Sequence, residues 1–564
     1  MALRSNALQA WERDPSLNSD DPALLDREIE SLSARLHTLK THRNAIIPIA
    51  ILPWEILANI FFFHVHRADP LHRWTKDAGW INIAHVCRFW RKVVLDTRNL
   101  WTTISCSAKE STAFMLERSM SLSLTLDVFV PAAPRDQEAV FEATKLAMAQ
   151  LHRIVDIRVS GSKTGTEYFS SMDYIVPEPL LQSLTYAPVQ PLLKTEVLGL
   201  KILLLIASTS LRRLSLPRCG ARFVPEPLPM LQTLNLGICN YKGLNTVTWI
   251  LKALRGLPSL QSLTVTFNDC DDVRSLPLDV RDKTALVTLC HLEDLTLSCT
   301  VSPAAYILRH LTLPRSCGFS LGVEMARPPS DHVQKALMRE IVSEIIVAPL
   351  RGISFEIQAD TDDIVIRGWT CPLPDDRRSM TALYDGNYKI NLWLLRGEDL
   401  GFRQGSWLSV LYHVGSLLGD DLELLRVHMP SGILFPSAWW SAFGHLRNVH
   451  MLHFGGSDPG GLLLALTFRT HRGHSAAEDG FLPRLRSLVL NDINYGPCEY
   501  GHSTARKLFY TLEHRWRRQL KLQRICLYNC AYISISDISN LKSGIPEVYW
   551  DGRNLVNMAM VTEA

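Results

Sequence analysis

Apolar residues recur along this chain with two periods, and each period predicts a different element. From Leu25 to Leu39 they are spaced alternately by four and three, the a/d pattern of a coiled-coil helix. Residues 53–61 also follow a helical spacing, and Pro53 suits a first helical turn. After Trp101, short segments alternate leucine, isoleucine or valine with other residues, which is typical of β-strands.

The first periodic segment predicts an amphipathic helix over residues 21–47, following a disordered stretch over residues 1–20. Pro22 fits its start and Pro48 its end. Its apolar seam contains Leu25, Ile29, Leu32, Leu36 and Leu39. The seam spans about two heptads, fewer than the three or four that identify a coiled coil. Two interpretations stay open: a helix packed on the next segment, or a weak homodimer through a coiled coil.

Residues 48–105 contain three short motifs in order. Leu-Pro-x-Glu-Ile-Leu occupies residues 52–57, Val-Cys-Arg-x-Trp-Arg residues 86–91, and Asn-Leu-Trp-x-x-Ile residues 99–104. Three small helices with this much apolar surface cannot bury all of it, because a domain of about 60 residues buries only about 60% of the surface of its unfolded chain. Part of the surface is therefore expected to contact a partner.

In these motifs the segment resembles an F-box, and the chain resembles fungal F-box proteins that carry leucine-rich segments after the box. The connector at residues 64–79 is longer than a typical F-box has between its first two helices. The resemblance implies docking on a Skp-type adaptor and, through it, on a cullin. It assigns this role to a mixture of core and contact residues, which the sequence cannot separate: Leu52, Pro53, Ile56, Leu57, Ile60, Val86, Cys87 and Trp90.

Internal repeats dominate the chain after the F-box segment. The pattern Leu-x-x-Leu-x-Leu-x-x-Asn/Cys begins at Leu211, Leu231 and Leu260. Weaker copies begin at Ile154, Leu181, Leu292 and Leu308, and a late set begins at Leu422, Leu446, Leu485 and Leu522. Helical patterns separate some copies, at residues 246–255 and at residues 503–519 with Trp516 on the apolar stripe. We predict an α/β fold: a three-helix F-box followed by an irregular leucine-rich-repeat solenoid with one strand and one helix per repeat.

The two repeat series are predicted at residues 106–320 and 421–564, with an embellished segment at 321–420 between them. A helix is expected to start at Ser330, with a buried stripe of Val333, Leu337, Ile341 and Ile345. Alternating apolar residues predict strands at 353–357 and 364–369, and residues 370–387 are predicted to form a surface loop. The concave side of the solenoid is expected to bind a target protein, for which no contact residue can be named.

Composition fits a soluble cytoplasmic or nuclear protein. The 564 residues contain 59 basic and 56 acidic residues, a net charge of +3, which favours neither nucleic acid nor a membrane surface. The first residues lack the apolar core of a secretory signal, so the twelve cysteines are expected to stay reduced. Residues 46–65 are long enough to cross a bilayer, but Glu55 and two prolines in that stretch argue against a span.

Catalytic motifs are absent from the sequence: it has no phosphate-binding loop, zinc-protease motif or nucleophile elbow. Asn268–Asp272 resembles a calcium loop only in its carboxylates, and His64, His66 and His72 match no zinc spacing. The basic run at Arg515–Arg518 is better explained by the end of a helix than by nucleic-acid binding. We therefore expect no enzyme activity, metal or cofactor.

The function implied by the resemblance is substrate recognition in an SCF-type cullin-RING ubiquitin ligase. The F-box would bind the adaptor while the leucine-rich region holds a target protein. The alternative is a leucine-rich scaffold that joins proteins without directing their degradation. Effects on target turnover would separate these two functions.

Overall fold

A computed structural model describes seventeen segments of the chain. These are residues 22–67, 79–161, 180–189, 204–205, 207–220, 227–239, 244–267, 286–325, 339–346, 349–358, 363–370, 388–396, 405–429, 434–456, 458–467, 480–495 and 504–552. The chain divides into two compact units, the first mainly residues 1–158 and the second mainly residues 181–564. The predictions for residues 1–20, Asn268–Asp272, His72 and the 371–387 loop lie outside the described residues.

The first unit begins with helices of very different burial. Helix α1 spans Pro22–Ala45 and has no buried residue. A 3-10 turn at Pro48–Ile51 leads to α2 (Trp54–Arg67), and a 3-10 helix at Gly79–His85 leads to α3 (Arg88–Asp96). The interpretation of α1 as a helix packed on the next segment is therefore wrong, because its seam stays exposed.

The rest of the first unit pairs short strands with helices. Strand β1 (Thr103–Ser105) runs parallel to β2 (Leu124–Val130), with α4 (Lys109–Ser119) between them in the chain. Helix α5 (Pro134–Met148) and strand β3 (Ile154–Gly161) follow. The buried Arg153 guanidinium donates to the carbonyls of Leu122 and Leu116 and to the Ser119 hydroxyl, so its charge is solvated by the end of α4.

The second unit is built on one long sheet. Its first series comprises β4 (Ser183–Pro188), β5 (Arg213–Gly220), β6 (Thr233–Cys239), β7 (Ser262–Phe267), the two-residue β8 (Val287–Thr288), β9 (Asp294–Thr300), the two-residue β10 (Leu311–Thr312) and β11 (Gly318–Met325). Six of these run parallel in the order β4-β5-β6-β7-β9-β11, and β8 pairs separately with β10. Leucines at equivalent positions face one core: Leu184, Leu214, Leu234, Leu263 and Leu295.

Three further strands continue this sheet and reverse direction within it. They are β12 (Gly352–Ile357), β13 (Ile364–Trp369) and β14 (Ile390–Arg396). Strand β14 lies parallel to β11, β13 is antiparallel to both β14 and β12, and β12 is parallel to the next strand. The predicted β12 and β13 are confirmed in place, while the strand at β14 was not foreseen.

The late series completes the sheet with β15 (Leu424–His428), β16 (Met451–Gly455), β17 (Ser487–Asn491), β18 (Arg524–Tyr528) and β19 (Glu547–Trp550). All of these pairs are parallel. The helices between the strands are α6 (Leu244–Leu254), α7 (Val301–Arg309), α8 (Gly405–Leu417), α9 (Pro436–Phe443), α10 (Gly460–Thr467), α11 (Thr504–Arg517) and α12 (Ile535–Gly544). The mixed α/β class with a large, mainly parallel sheet is therefore confirmed.

Residues 339–345 are also helical, and they bury Ile341 and Ile345 as predicted. The expected start of this helix at Ser330, together with Val333 and Leu337, lies outside the described residues. None of the helices described here is long and apolar enough to cross a membrane.

Three residues of the predicted pattern lie elsewhere than their spacing indicated: Met451, Leu308 and Trp516. The copy beginning at Leu446 has Met451 as its third apolar residue, but the buried residues at and just before β16 are Val449, Leu452 and Phe454. Met451 lies on the other face of the sheet. The observed copy is displaced by three residues from the predicted one. A displacement by an odd number of residues exchanges the two faces of a strand. The copy beginning at Leu308 adds no strand to the long sheet. Leu308 lies in the last turn of α7, and Leu311 begins β10, which pairs with β8 outside that sheet.

The third misplaced residue is Trp516. It is 51% exposed, and Arg515 occupies the buried stripe of α11 instead. The Arg515 guanidinium donates from Nη1 to the Phe481 carbonyl at 2.8 Å and from Nη2 to the Leu482 carbonyl at 3.0 Å. Burial lowers the pKa of Arg515 to about 10. A charged side chain can lie in this core because it pairs with backbone oxygens.

Candidate functional site

Helix α2 carries apolar residues on two opposite sides. With 3.6 residues per turn, residues 57, 58 and 61 lie on one side and residues 56, 60 and 63 on the other. The first set is buried: Leu57 is 0%, Ala58 8% and Phe61 2% exposed. The second set is exposed: Ile56 at 45%, Ile60 at 43% and Phe63 at 69%. We call Ile56, Ile60 and Phe63 the α2 stripe.

The core beneath α2 is complete without the α2 stripe. The Trp90 ring lies against Phe61 with ring centroids 5.0 Å apart. Trp101 is buried, and its Nε1–H donates to the Val94 carbonyl at 2.9 Å. The same ring meets Phe114 of α4 edge to face at 5.3 Å. These contacts form the interior, while the side chains of the α2 stripe stay 43% to 69% exposed.

A second exposed apolar group lies at the start of α3. Val86 is 59% and Phe89 41% exposed. Between them, Cys87 is the N-cap of α3, and its Sγ accepts a hydrogen bond from the Trp90 amide at 3.4 Å. This cap fixes the chain direction at the beginning of the helix. We call the α2 stripe together with Val86 and Phe89 the F-box apolar surface.

Cationic side chains adjoin this surface on α3. Arg88, Arg91 and Lys92 are all exposed. A partner that covers Val86 and Phe89 would meet these charges at the rim, where acidic groups are favourable.

The residues predicted to bind an adaptor separate into three groups by burial. Leu57 is a core residue, with no exposed surface. Leu52, Cys87 and Trp90 are half-buried. Four are exposed: Pro53, Ile56, Ile60 and Val86. Their role in binding stays a prediction, but the structure shows which of their side chains a partner can reach.

Several exposed residues of this region were missed by the sequence analysis. Trp54 is 56% exposed, and the apolar residues before α2 are exposed as well: Ile46, Ile47, Ile49 and Ile51. Phe63 and Phe89 were missed too. The spacing of four and three residues from Ile56 through Ile60 to Phe63 was the signal that could have identified the α2 stripe.

The second unit offers a different surface on its sheet, formed by side chains that alternate with the leucine core. In the first series one register line carries small polar residues: Thr185, Ser215, Asn235, Thr264, Thr296 and Ser320. All six are half-buried. We call this line the polar ladder; its side chains are short and uncharged.

The same register line changes character beyond β11. It continues through Asn391, Arg367, Ser354, Arg426 and His453. The Arg367 guanidinium pairs with Glu356 at 3.2 Å and lies over the rings of Tyr388 and Trp393, at 5.2 and 5.7 Å from their centroids. Larger, charged and aromatic groups thus replace the polar ladder in the strands from β12 to β16, which we call the late part of the sheet.

Two histidines of this part are poor bases. Burial, assisted by the positive charges of Arg426 and His428, lowers the pKa of His453 to about 3. Burial also lowers the pKa of His428, against the opposing effect of Glu356. Both rings are therefore neutral near pH 7.

An open groove of about 920 Å³ lies where several late strands begin. It is lined by cations and carboxylates: Arg315, Arg351, Lys389, Arg484, Arg486, Asp420, Asp421 and Glu423. Arg351 and Glu423 form an ion pair at 3.1 Å, and Arg484 donates to the Asn448 side chain at 2.6 Å. The mixed charges suit a polar protein segment better than an apolar small molecule.

Among the described residues, no group of three or more histidine, cysteine, aspartate or glutamate side chains is arranged to hold a metal ion. The exposed His64 belongs to α2, and the side chain of His66 lies outside the described part of the structure.

Comparison with protein families gives a match in the first unit. A family model described as F-box-like matches residues 49–107, which include α2, α3 and the F-box apolar surface. None of the curated proteins matches the chain. The chain therefore contains an F-box-like domain, the kind of module that supports protein–protein interaction.

Proposed function

We propose that this protein is a substrate-recognition subunit of an SCF-type cullin-RING ubiquitin ligase. The F-box-like domain binds a Skp-type adaptor, and the second unit binds a target protein. The observation that carries the proposal is the F-box apolar surface, because its five side chains are exposed although the core behind them is closed. Clustered exposed apolar residues on a soluble domain mark an interaction site.

The adaptor-binding step rests on the geometry of α2 and α3. Ile56, Ile60 and Phe63 form a continuous i, i+4, i+7 stripe, the arrangement by which a helix contacts an apolar groove. The aromatic side chain of Phe89 adds a large contact area, and Arg88 and Arg91 supply charge at the rim. Leu57 is not proposed as a contact because it is fully buried.

We further infer that the strands and helices of the second unit are irregular leucine-rich repeats, forming a solenoid. Consecutive parallel strands align equivalent leucines, for example Leu214, Leu234 and Leu263, and several are followed by a helix. The target would bind mainly to the late part of the sheet. Arginine and aromatic residues dominate protein-binding hot spots, whereas serine is depleted at interfaces, and Arg367 and Trp393 lie beyond the polar ladder.

The ligase role requires positioning rather than bond-making by this chain. Binding a target and an adaptor at the same time raises the effective concentration of the target's lysines near the conjugating enzyme. Every covalent step would belong to other subunits of the complex.

Co-purification with a Skp-type adaptor and its cullin tests the first step. The wild-type chain should retain both proteins, and the double variant Ile56→Ser/Ile60→Ser should lose them. Two anchor residues worth about 2 kcal/mol each would weaken binding by about 1,000-fold. Phe129→Ser is a matched control, because Phe129 is an equally exposed apolar residue of the same unit outside the F-box-like domain.

The outcomes discriminate between a receptor and a scaffold. Capture by the wild type and the control, but not by the double variant, supports adaptor docking. Failure of the wild type to capture the adaptor contradicts the proposal. If the adaptor binds, proteins captured through Arg367 and Trp393 should become longer-lived when this chain is deleted. Unchanged turnover of those proteins would favour the scaffold.

A further inference from the structure

Helix α1 exposes a complete apolar seam. Ile29, Leu32, Leu36 and Leu39 are 61%, 57%, 51% and 60% exposed, and Leu25 is half-buried. These are the residues spaced by four and three. Such a seam on a helix of 24 residues matches the contact face of a two-stranded coiled coil.

No residue of α1 is buried in the part of the chain that the structure describes. Most helical stability in proteins comes from packing of an apolar face, and a lone helix is marginal in water. A partner along the seam would supply this packing.

Charge along α1 is separated between its two halves. Residues 22–33 contain three acidic residues and one arginine, whereas residues 34–45 contain three basic residues and no acidic one. All seven of these side chains are exposed. A second α1 in the opposite direction brings each acidic half against a basic half, so the helix is complementary to itself only in antiparallel pairing.

We propose that two copies of this chain associate through an antiparallel coiled coil of their α1 helices. The register that overlaps the whole helix places Ile29 opposite the second copy's Leu39 and Leu32 opposite its Leu36. The flanking position of Asp26 then faces Lys40 of the second copy, and this pair occurs twice by symmetry. The F-box apolar surface is separate from α1 and remains available.

In parallel pairing the flanking charges repel each other instead of attracting. In a parallel dimer, flanking residues five apart meet across the seam, which brings Arg35 against Lys40 of the second copy, twice. The antiparallel register retains one like-charge contact, between Arg35 of the first copy and Arg35 of the second. It also places the stem of Arg43 beside Leu25, where an arginine can cover apolar surface.

Sedimentation equilibrium of the full chain tests this arrangement through one charge reversal. In the antiparallel dimer, Lys40→Glu turns two attractive contacts into repulsive ones and should raise the dissociation constant about 10-fold. The double variant Asp26→Lys/Lys40→Glu should restore the wild-type value. Ile56→Ser/Ile60→Ser should leave it unchanged. Since α1 buries no residue, the circular dichroism melting of the remaining chain should not move in either α1 variant.

Three outcomes would overturn the proposal. A tighter dimer in Lys40→Glu would show parallel pairing, because that change removes the repulsion with Arg35. A dimer insensitive to both α1 variants would place the interface elsewhere. A monomer at all concentrations up to about 100 μM would exclude self-association of useful strength.

Discussion

The F-box-like domain and the long sheet both repeat apolar residues at regular spacing, yet they bury them to different extents. In β17, Leu488 and Leu490 are 1% and 0% exposed. In α2, Leu57 and Phe61 are as buried, but Ile56 and Ile60 remain nearly half exposed. The small domain has one interior and two apolar helix faces. The exposed face of α2 is expected to contribute to binding, whereas the buried leucines of the sheet are expected to contribute to folding stability.

The largest expected effect tests the stabilising role of the sheet leucines. Leu490→Ala should lower the free energy of unfolding of the second unit by about 4 kcal/mol, because it leaves a cavity in a covered layer. The neighbouring Val489 is half-buried on the other face, and Val489→Ala should cost less than about 1 kcal/mol. Urea unfolding of both variants measures this contrast. Similar losses in the two would mean that both faces are covered.

A second prediction applies the comparison within α2. Leu57→Ala should destabilise the first unit by about 3 kcal/mol, whereas Ile60→Ala should change its stability by less than about 0.5 kcal/mol. Adaptor affinity should respond to Ile60→Ala, with a loss of about 30-fold. Thermal melting measures the change in stability, and isothermal titration calorimetry measures the change in adaptor affinity. A stability loss in Ile60→Ala as large as that in Leu57→Ala would assign Ile60 to the core.

The third prediction concerns pH and the late part of the sheet. The folded pKa of His453 is about 3, below the usual value of 6.5. Below pH 6.5 the unfolded chain therefore binds a proton that the folded chain does not. The free energy of unfolding consequently decreases as the pH is lowered. The loss between pH 7.5 and pH 5 should be about 2 kcal/mol. Denaturant midpoints at both pH values measure it.

The variant His453→Gln provides the control for this pH effect. It should remove about 2 kcal/mol of the difference between the two pH values, whatever its own cost at pH 7.5. Equal pH dependence in the wild type and the variant would show that the histidine titrates normally.

The smallest expected effect concerns the N-cap of α3. The Cys87 thiol is a weak acceptor for the Trp90 amide. Cys87→Ser should stabilise the first unit by about 0.5 kcal/mol, and Cys87→Ala should destabilise it by a similar amount. Careful thermal melting can resolve both. Destabilisation by serine would indicate that the thiol's packing outweighs its hydrogen bond.

The sequence predicted individual helices and strands better than it predicted which strands pair with each other. Helix α2, strands β12 and β13, and most leucine-rich strands followed from spacing alone, because the period of a helix or strand is a local property. The strand β14 was missed. Its partner β11 lies about 70 residues earlier in the chain, so a local sequence pattern cannot predict this pairing.

Burial of individual side chains was harder to foresee. Spacing placed Trp516 in the core of α11, but the guanidinium of Arg515 occupies that position because two backbone carbonyls accept hydrogen bonds from it. In the candidate site, spacing identified Ile56 and Ile60 without separating them from Leu57. That separation depends on Trp90 and Phe61, which close the interior from only one side of α2.

The reversal of direction at β12–β14 has a consequence for the order of folding. Most neighbouring strands in the two series are separated by one short stretch of chain, so their contacts form locally and early. The pairs β11–β14 and β12–β15 instead close loops of about 70 residues. The two series can each assemble around their own leucines first, and the joint between them forms last. A nascent chain would thus carry a finished first series while the late series is still being synthesised.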